Sequence, residues 1–245
     1  MLKLDEVYLG DCVQVMKDID NGSIDMILTD LPYNVTKNKW DQSIIPLDLL
    51  WNEYKRVIKK NGAILLFAQG MFAAKLIMSN EKWYKYDLVW KKGERVSGFL
   101  NAKKQFMRNH EQILCFYNKP PLYLPIMEEG APLHGKGKKY LNKEGVNNNY
   151  GYYDTTLPET RKGSTQKYPK SVLNFDKPHP SIHPNEKPVA LLEYLIKTFT
   201  REDEIVLDST CGSGSTLVAA KKINRRYIGI EKDQNWVNIS KQRLK

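Results

Sequence analysis

The stretch Glu204 to Glu231, EIVLDSTCGSGSTLVAAKKINRRYIGIE, decides the fold of this 245-residue chain. Its first apolar run, 204–208, predicts a buried strand, which a tight glycine-containing loop joins to a helix that begins at Ser215. A second apolar run at 227–230 predicts another strand, which ends at Glu231. Because Glu231 stands about 20 residues after the first strand, its carboxylate is placed as in nucleotide-binding α/β units, where an acidic side chain reaches ribose hydroxyls. The stretch therefore predicts half of a nucleoside-cofactor site.

The glycine loop of this stretch is Gly212-Ser213-Gly214. Glycine has no Cβ, so the backbone here can approach a ligand closely. The loop is not the dinucleotide-binding fingerprint, because Leu217 stands at the position of the third glycine. A lone Gly-Ser-Gly is more often a structural turn than a site. Its place between two predicted strands, with Glu231 closing the second, favours a site here.

A second candidate site is Asp30-Leu31-Pro32-Tyr33, which follows directly after the apolar run 24–28. Asp30 can accept a hydrogen bond from an exocyclic amine, and the Pro32 region can offer a carbonyl to the same amine. The Tyr33 ring can stack on a heterocycle. The tetrapeptide thus fits an amino-bearing base, although an ordinary strand-ending turn uses the same residue types.

Strands and helices alternate along most of the chain, which predicts an α/β fold with a doubly wound mixed sheet. The predicted strands are 24–29, 63–68, 86–90, 112–117, 204–208 and 226–230. The predicted helices are 46–59, 71–79, 189–200 and 234–243, in addition to the one from Ser215.

The segment between Lys119 and Pro184 departs from this pattern, because glycine, asparagine, lysine and tyrosine dominate it without periodicity. About 65 residues without a regular pattern inside an α/β domain are more often functional or mobile than a simple connection. Its tyrosines can stack on bases or sugars, or equally form a small core of the segment itself. These tyrosines are Tyr150, Tyr152, Tyr153 and Tyr168.

The net charge of +10 is concentrated in two segments. Residues 82–108 hold eight Lys or Arg against two acidic residues, and residues 134–170 hold eight against three. The rest of the chain is close to neutral. Such localisation is typical of a polyanion-binding protein, although a solvated lysine-rich face would look the same for either segment alone.

Composition excludes several other classes. A hydrophobic content of 41% suffices for one large α/β domain with an insertion. The chain has no apolar run of about 18 residues and its first residues lack a signal-peptide core, so we expect a cytoplasmic protein without membrane contact. Cys12, Cys115 and Cys211 are odd in number and far apart, which predicts neither a zinc site nor a disulfide framework.

These motifs together resemble the amino-group DNA methyltransferases that use S-adenosylmethionine, in the circularly permuted motif order called the beta class. In chain order the matching motifs are Gly10-Asp11-Cys12, Asp30-Leu31-Pro32-Tyr33, His183-Pro184-Asn185-Glu186-Lys187-Pro188, the loop 208–216 and Gly229-Ile230-Glu231. The resemblance implies a Rossmann-like class I methyltransferase that acts on double-stranded DNA. It also implies a catalytic half at 1–119, a target-recognition insertion at 120–182 and a cofactor-binding half at 183–245. Members of this class are often dimers, so a homodimer is one expectation.

The resemblance also implies roles for individual residues. Asp30 and the Pro32 carbonyl would accept the hydrogens of the target amine, while Tyr33 would stack on the flipped base. The implied cofactor-binding residues are Asp11, Cys12, Lys187, Asp208, Gly212, Ser213, Gly214 and Glu231, and no metal is implied.

Within that set, Asp11 would bind the cofactor adenine amine, Glu231 the ribose hydroxyls, and Lys187 would lie close to the cofactor carboxylate. The glycine loop would pass beneath the methionine portion. Each of these three side chains, and Cys12 as well, also has a structural interpretation. Asp11 can cap a helix through Met16, Glu231 can cap the helix from Gln234, Lys187 can be a surface charge, and Cys12 can be a buried small apolar residue.

Two positions depart from the family pattern. Leu31 stands where the first proline of Asp-Pro-Pro-Tyr usually occurs, which we expect to be tolerated because the groups that face the base come from the other three residues. The cofactor loop begins Asp208-Ser209-Thr210 instead of Asp-Pro-Phe, so an aromatic packing partner of the cofactor is missing and Thr210 takes its place.

The resemblance favours adenine N6 as the target, because Asp at the first catalytic position is typical of adenine-directed members and Ser of cytosine-directed ones. N4-cytosine methylation is the first alternative. Methylation of RNA or of a protein glutamine is a weaker one, since Asn in place of Asp30 would have favoured it. A catalytically silent DNA-binding subunit of a modification complex is the alternative from a different class.

Overall fold

The computed structural model describes residues 2–33, 45–132, 164–183 and 185–245. Its strands are β1 (Glu6–Leu9), β2 (Ile24–Thr29), β3 (Ile58–Ala68), β4 (Tyr84–Lys91), β5 (His110–Phe116), β6 (Glu128–Glu129), β7 (Gln166–Lys167), β8 (Val172–Asn174), β9 (Ile205–Asp208) and β10 (Arg226–Glu231). Its α-helices are α1 (Cys12–Met16), α2 (Leu47–Val57), α3 (Gly70–Ser79), α4 (Val189–Phe199), α5 (Ser215–Lys222) and α6 (Gln234–Arg243). Backbone contacts divide the chain into a larger unit, Met1–Leu124 with Lys170–Lys245, and a smaller unit, Pro125–Pro169.

The larger unit is built on an eight-stranded sheet with the order β1-β10-β9-β2-β3-β5-β4-β8. Among the described strands of this sheet, β5 alone runs opposite to the others. The carboxyl ends of β9 and β2 therefore lie side by side, and the amino end of β5 lies at the same edge of the sheet. This edge collects the ends of strands that are far apart in sequence.

Each face of the sheet carries its own apolar core because side chains alternate along a strand. Met26 and Leu28 of β2 pack on one face with Leu191 and Leu195 of α4. Ile27 points to the opposite face, where α1, α2 and α3 supply the partners. Both faces of the central strands are covered by helices, as their continuous apolar runs require.

The predicted α/β fold with a doubly wound mixed sheet is confirmed, and all six predicted strands and all five predicted helices are present. The largest shift is in β3, which begins at Ile58 rather than at residue 63, so that Ile58 pairs with Ile24. Strands β1, β6, β7 and β8 were not predicted, and α1 was expected only as the helix that Asp11 could cap. These elements are short, and β8 lies in a segment whose composition predicts irregular structure.

The smaller unit contains, in its described part, the antiparallel pair β6 and β7, in which Glu128 stands opposite Lys167. It is narrower than the predicted insertion at 120–182, because β8 belongs to the sheet of the larger unit. The predicted stacking residues Tyr150, Tyr152 and Tyr153 lie outside the described residues, as do Lys136, Lys138, Lys139, Lys143, Arg161 and Lys162. Within the described ranges, no helix combines the length and the apolar character needed to cross a membrane.

Candidate active site

The site lies where the order of the sheet reverses. From β9 the chain passes through α5 to β10 on one side, whereas β2 leads to β3 on the other side. Such a switch point leaves a crevice at the carboxyl ends of the strands, which is where open α/β sheets bind ligands. A cleft of about 980 Å³, counted with its open mouth, is found there. Nine of the predicted site residues line it, namely Asp11, Cys12, Asp30, Pro32, Lys187, Asp208, Gly212, Ser213 and Glu231.

Asp30 immediately follows β2, and both of its carboxylate oxygens are held. Tyr33 Oη donates a hydrogen bond to Asp30 Oδ1 over 2.6 Å, and Lys187 Nζ donates to Oδ2 over 2.5 Å. The Tyr33 ring stacks on Phe72, with centroids 4.8 Å apart and planes inclined by 28°. These contacts fix the direction of the carboxylate, and each of its oxygens keeps a second lone pair for another donor.

Lys187 connects Asp30 to a chain of buried charges. Its ammonium lies 3.3 Å from Glu111 Oε2, and Glu111 Oε1 accepts from Lys92 Nζ over 2.5 Å. Both lysines are 7% exposed. The four side chains carry two positive and two negative charges, so each buried charge has an opposite partner. Removal of one member would leave another charge uncompensated in a place from which water is largely excluded.

The pKa values at this cluster follow from burial and from the ion pairs. Burial raises the pKa of Asp30, and Lys187 opposes that rise. Burial also acts to raise the pKa of Glu111, but Lys187 and Lys92 together outweigh it, so this pKa is lowered. For Lys187, burial acts to lower the pKa, while the two carboxylates Asp30 and Glu111 raise it above the usual lysine range. Lys187 is therefore a stable cation.

The interpretation of Lys187 as a surface charge is thus wrong, because its side chain is buried and paired. The geometry directs its ammonium at Asp30 rather than into open solvent. The role that the resemblance implies, a contact with the cofactor carboxylate, stays a prediction. Lys187 lines the cleft, so its ammonium can contact both Asp30 and a ligand in the cleft.

The ends of β2 and β9 are joined by threonine hydroxyls. Thr29 Oγ1 donates to Asp208 Oδ1 over 2.7 Å, and Thr210 Oγ1 donates to the Asp30 carbonyl over 3.0 Å. Thr210, which replaces the usual aromatic residue, therefore fastens the tetrapeptide that begins at Asp30 to the glycine loop. This contact couples the position of the Asp30 carboxylate to the loop beside it.

Glycine occupies the two positions 212 and 214 of the loop for different structural reasons. Both have a positive φ, +50° at Gly212 and +79° at Gly214, which favours glycine at each position. A Cβ added at Gly214 would stand 2.0 Å from Ser240 Oγ, so this residue lets α5 pack against α6. A Cβ at Gly212 would meet no atom within 4 Å among the described residues, which leaves room for a ligand. Gly214 is therefore a packing residue, whereas Gly212 faces the cleft.

Glu231 holds the loop from the end of β10. Its Oε2 accepts from Gly212 N and its Oε1 from Asp233 N, each over 2.9 Å. The interpretation of Glu231 as the cap of α6 is wrong, because Asp233 is the residue whose side chain caps that helix. Asp11 does cap α1, accepting from Gln14 N over 3.1 Å, and it also lines the cleft.

The segment 182–188, of which Pro184 lies outside the described residues, is held through Glu186. Glu186 Oε1 is 2.9 Å from Arg243 Nη2, and Glu186 Oε2 accepts from Ile182 N over 2.7 Å. Arg243 also donates to the carbonyl of Ser213 over 2.8 Å. One arginine of α6 thus braces both the segment that carries Lys187 and the glycine loop.

Sequence reasoning missed Glu111, Lys92, Thr29 and Tyr54. Tyr54 is fully buried on α2, and its hydroxyl lies 2.6 Å from Ser209 Oγ in the loop that follows β9. Glu111 could have been found only through topology. Because β5 runs antiparallel, its first residues return to the edge where β2 and β9 end. A charged residue at the start of an apolar strand was the available signal.

Cys12 lies in the cleft as a neutral thiol. Burial raises its pKa from 9.0 to about 12, and Asp11 adds to this effect. A thiol with such a pKa is a poor nucleophile at neutral pH.

Asp208 gives a prediction about pH and stability. Burial raises the pKa of Asp208 from 3.8 to about 6. The folded protein therefore holds a proton between these pH values that the unfolded chain has lost, so this contribution to stability is complete below pH 3.8 and is lost as the pH rises through 6. We expect Asp208→Asn, which cannot ionise, to gain stability relative to the wild type between these pH values. The gain approaches about 3 kcal/mol at 1.36 kcal/mol per pKa unit.

Urea denaturation of both proteins between pH 4 and 8 measures this difference. If the substitution by asparagine also lowers the free energy of unfolding by an amount that does not depend on pH, the plot of that free energy against pH moves as a whole and its slope stays the same. A difference in unfolding free energy that stays constant with pH would contradict the prediction.

Comparison with known proteins gives the family. The profile of the family described as DNA methylase, N6 and N4, matches residues 24–242. The Type II methyltransferase M.HinfI of Haemophilus influenzae is 27% identical to this chain over 271 residues, which cover 99% of this chain and 68% of the relative.

Two solved structures share the fold. The M1.HpyAVI–SAM complex superimposes with a TM-score of 0.61 at 21% identity, covering 97% of this chain and 98% of that one. The cytosine-N4-specific PvuII DNA methyltransferase gives a TM-score of 0.67 at 15% identity, covering 97% of this chain and 85% of that one. The family match begins at the strand before Asp30, includes the cleft residues from Asp30 onward and ends in the last helix, so this chain belongs to the DNA methylase family of N6 and N4 methyltransferases.

Proposed function

We propose that this protein is a site-specific DNA methyltransferase that moves the methyl group of S-adenosylmethionine to N6 of a flipped adenine in duplex DNA. The observation that carries the proposal is the Asp30 carboxylate. It lies at the cleft and is oriented by Tyr33 and Lys187. An aspartate at this position is, by the resemblance, typical of adenine-directed members of the family.

The cleft fits S-adenosylmethionine. Glu231 keeps acceptor capacity for ribose hydroxyls beyond its bonds to two backbone amides. The open space above Gly212 admits the methionine portion, and Asp11 lines the cleft where the adenine amine is expected. When bound, S-adenosylmethionine supplies an activated methyl group on a sulfonium. The chain supplies the positioning.

The target base must leave the duplex to reach Asp30. Its exocyclic amine is paired inside the helix, and extrusion of one nucleotide costs a few kcal/mol. In the proposed complex the base stacks on Tyr33, whose ring is already fixed by Phe72. A ring that is held in place before binding loses little conformational freedom when the base arrives.

Asp30 and the Pro32 carbonyl then accept the two hydrogens of the amine. This arrangement turns the nitrogen lone pair toward the methyl group, so that transfer is a direct in-line displacement. Methylation leaves the amine nitrogen with one proton too many, and Asp30 is the carboxylate in position to accept it. Cys12, a neutral thiol with a pKa of about 12, has no role as a nucleophile in this reaction.

The proposed DNA-recognition segment is 120–182, which contains the smaller unit Pro125–Pro169. Its described residue Tyr168 is exposed, and Lys167 and Lys170 flank it. An exposed aromatic ring between cations is a combination that suits stacking on a nucleic acid.

Incubation with S-adenosylmethionine and unmethylated genomic DNA, followed by digestion to nucleosides and mass spectrometry, tests the proposal. N6-methyladenine is the expected product. N4-methylcytosine would overturn the choice of adenine while keeping the reaction. Absence of both, with cofactor binding retained in calorimetry, would overturn the proposed activity in favour of a silent DNA-binding subunit.

A further inference from the structure

The connection between β4 and β5 is an ordered hairpin, whose outer part, Glu94–Arg108, we call the hairpin tip. Ser97 and Arg108 pair through two backbone hydrogen bonds of 2.7 and 3.0 Å. A single turn of 3₁₀-helix, Phe99–Asn101, follows, and Lys104 N then donates to Asn101 O over 2.8 Å. The backbone of the tip is therefore organised by its own bonds.

The side chains of the tip are exposed, including its large apolar ones. Phe99, Leu100 and Phe106 are 70%, 86% and 101% exposed, and all residues from Glu94 to Arg108 are exposed with respect to the chain around them. A single exposed apolar residue is ordinary, but three on one short ordered hairpin form a surface that a partner is expected to cover.

The same tip is strongly basic. The tip contains four basic residues and one acidic residue, Glu94. The basic residues are Arg95, Lys103, Lys104 and Arg108. A DNA duplex suits both the basic and the apolar side chains of the tip, because its phosphates form a polyanionic surface and its stacked bases form an apolar interior. A second copy of the tip fits less well, because a two-fold interface between identical tips would bring like charges together.

The root of the hairpin lies in the active site. Lys92 and Glu111, which flank the hairpin, belong to the charge cluster that holds Asp30. The tip therefore leaves the sheet at the edge where the target base must arrive. The connection from Lys92 to Phe99 is seven residues long and turns at Gly93, where Arg95 N donates to Lys92 O, so Phe99 lies no more than about 25 Å from Lys92 at the active site.

We propose that Phe99, Leu100 and Phe106 form an apolar wedge that enters the base stack beside the target and replaces the stacking lost when the base flips. The basic residues of the tip bind the phosphates on either side. Apolar side chains inserted between base steps are an established way to unstack DNA. This inference rests on the proposed function, because it assigns a step within that reaction.

The test compares two duplexes. Sequencing of DNA methylated by the wild type first gives the recognition site. The target base is then placed in one duplex opposite its normal partner and in another opposite an abasic position, where flipping needs less help. The variant Leu100→Ser/Phe106→Ser alters exposed residues only, and Met78→Ser, exposed on α3, is the matched control.

We expect the double variant to lose about 10- to 100-fold in kcat/KM on the paired duplex, the range that follows from the value of one stacked base. On the abasic duplex it should stay within about threefold of the wild type. The fluorescence of 2-aminopurine at the target position should rise on addition of the wild type and stay low with the variant.

Three results would overturn the wedge. Equal losses on both duplexes would mean that the tip acts on chemistry rather than on flipping. Unchanged rates on both would mean that it has no part in the reaction, and unchanged rates with a change from dimer to monomer in light scattering would assign the tip to a second copy. If the wild type itself methylates neither duplex, the proposed function has failed, which is a separate outcome.

Substitution of the basic residues of the tip is expected to change DNA binding in a different way from substitution of the apolar ones. Lys103→Ala/Lys104→Ala should weaken binding to the paired and the abasic duplex by the same factor. It should also reduce the salt dependence of binding by about one phosphate contact for each lysine. A preference of this variant for the abasic duplex would contradict the division of labour between cations and wedge.

Discussion

Asp30→Ala is expected to lower the rate of DNA methylation by about 10³-fold or more, while DNA affinity stays close to that of the wild type. The substitution removes the acceptor for the target amine and for its surplus proton. It leaves Pro32, Tyr33 and the cofactor loop in place. Single-turnover methyl transfer with saturating DNA and cofactor measures the effect, because it reports the chemical step without product release.

Two further variants make this result interpretable. Asp30→Asn keeps the shape of the side chain and one acceptor oxygen, so it separates catalysis from the loss of a partner for buried Lys187. Asp18→Ala removes an exposed carboxylate that does not line the cleft and should behave as the wild type. Turnover of both Asp30 variants comparable to that of Asp18→Ala would remove Asp30 from the mechanism.

Lys187→Met is expected to move the acid limb of the pH–rate profile to higher pH and to lower the rate at pH 7 by about 10²-fold. Burial already raises the pKa of Asp30, and Lys187 is the neighbour that opposes this rise. Without the ammonium, Asp30 and Glu111 are two buried carboxylates without the cation between them, so the pKa of Asp30 rises further. The proposed reaction needs the ionised form of Asp30, and that form is then reached only at higher pH.

The same variant decides between two roles of Lys187. If its main partner is Asp30, the affinity for S-adenosylhomocysteine changes little while the acid limb moves. If it acts instead on the cofactor carboxylate, as the resemblance implies, the dissociation constant rises and the acid limb stays in place. The second pattern would contradict the account of the charge cluster. Lys241→Met, an exposed lysine on α6, is the matched control.

The sequence predicted the parts of the site that are continuous in the chain. Asp30 follows an apolar run, and Glu231 closes a strand–loop–helix–strand unit, so each could be placed at the end of a predicted strand. The order of the sheet then brings these ends together at its switch point. Local periodicity and motif spacing were sufficient for this part of the site.

The charge cluster could not be predicted from local periodicity or motif spacing. Glu111 enters the site only because β5 runs antiparallel to its neighbours, and Lys92 only because β4 pairs with β5. Neither direction is visible in a pattern of apolar residues. The presence of threonine at position 210, where the family usually has an aromatic residue, was also hard to interpret from sequence. The Thr210 hydroxyl donates a hydrogen bond to the Asp30 carbonyl at the end of the neighbouring strand, whereas an aromatic residue would pack against a ligand.

A crystal structure of the protein with S-adenosylhomocysteine tests the central claim most directly, because it locates the cofactor relative to Asp30. We expect the ribose hydroxyls on Glu231, the homocysteine portion over Gly212 and the sulfur on the side of the cleft that Asp30 lines. A ligand bound outside this cleft, or bound within it with its sulfur directed away from Asp30, would contradict the proposed site.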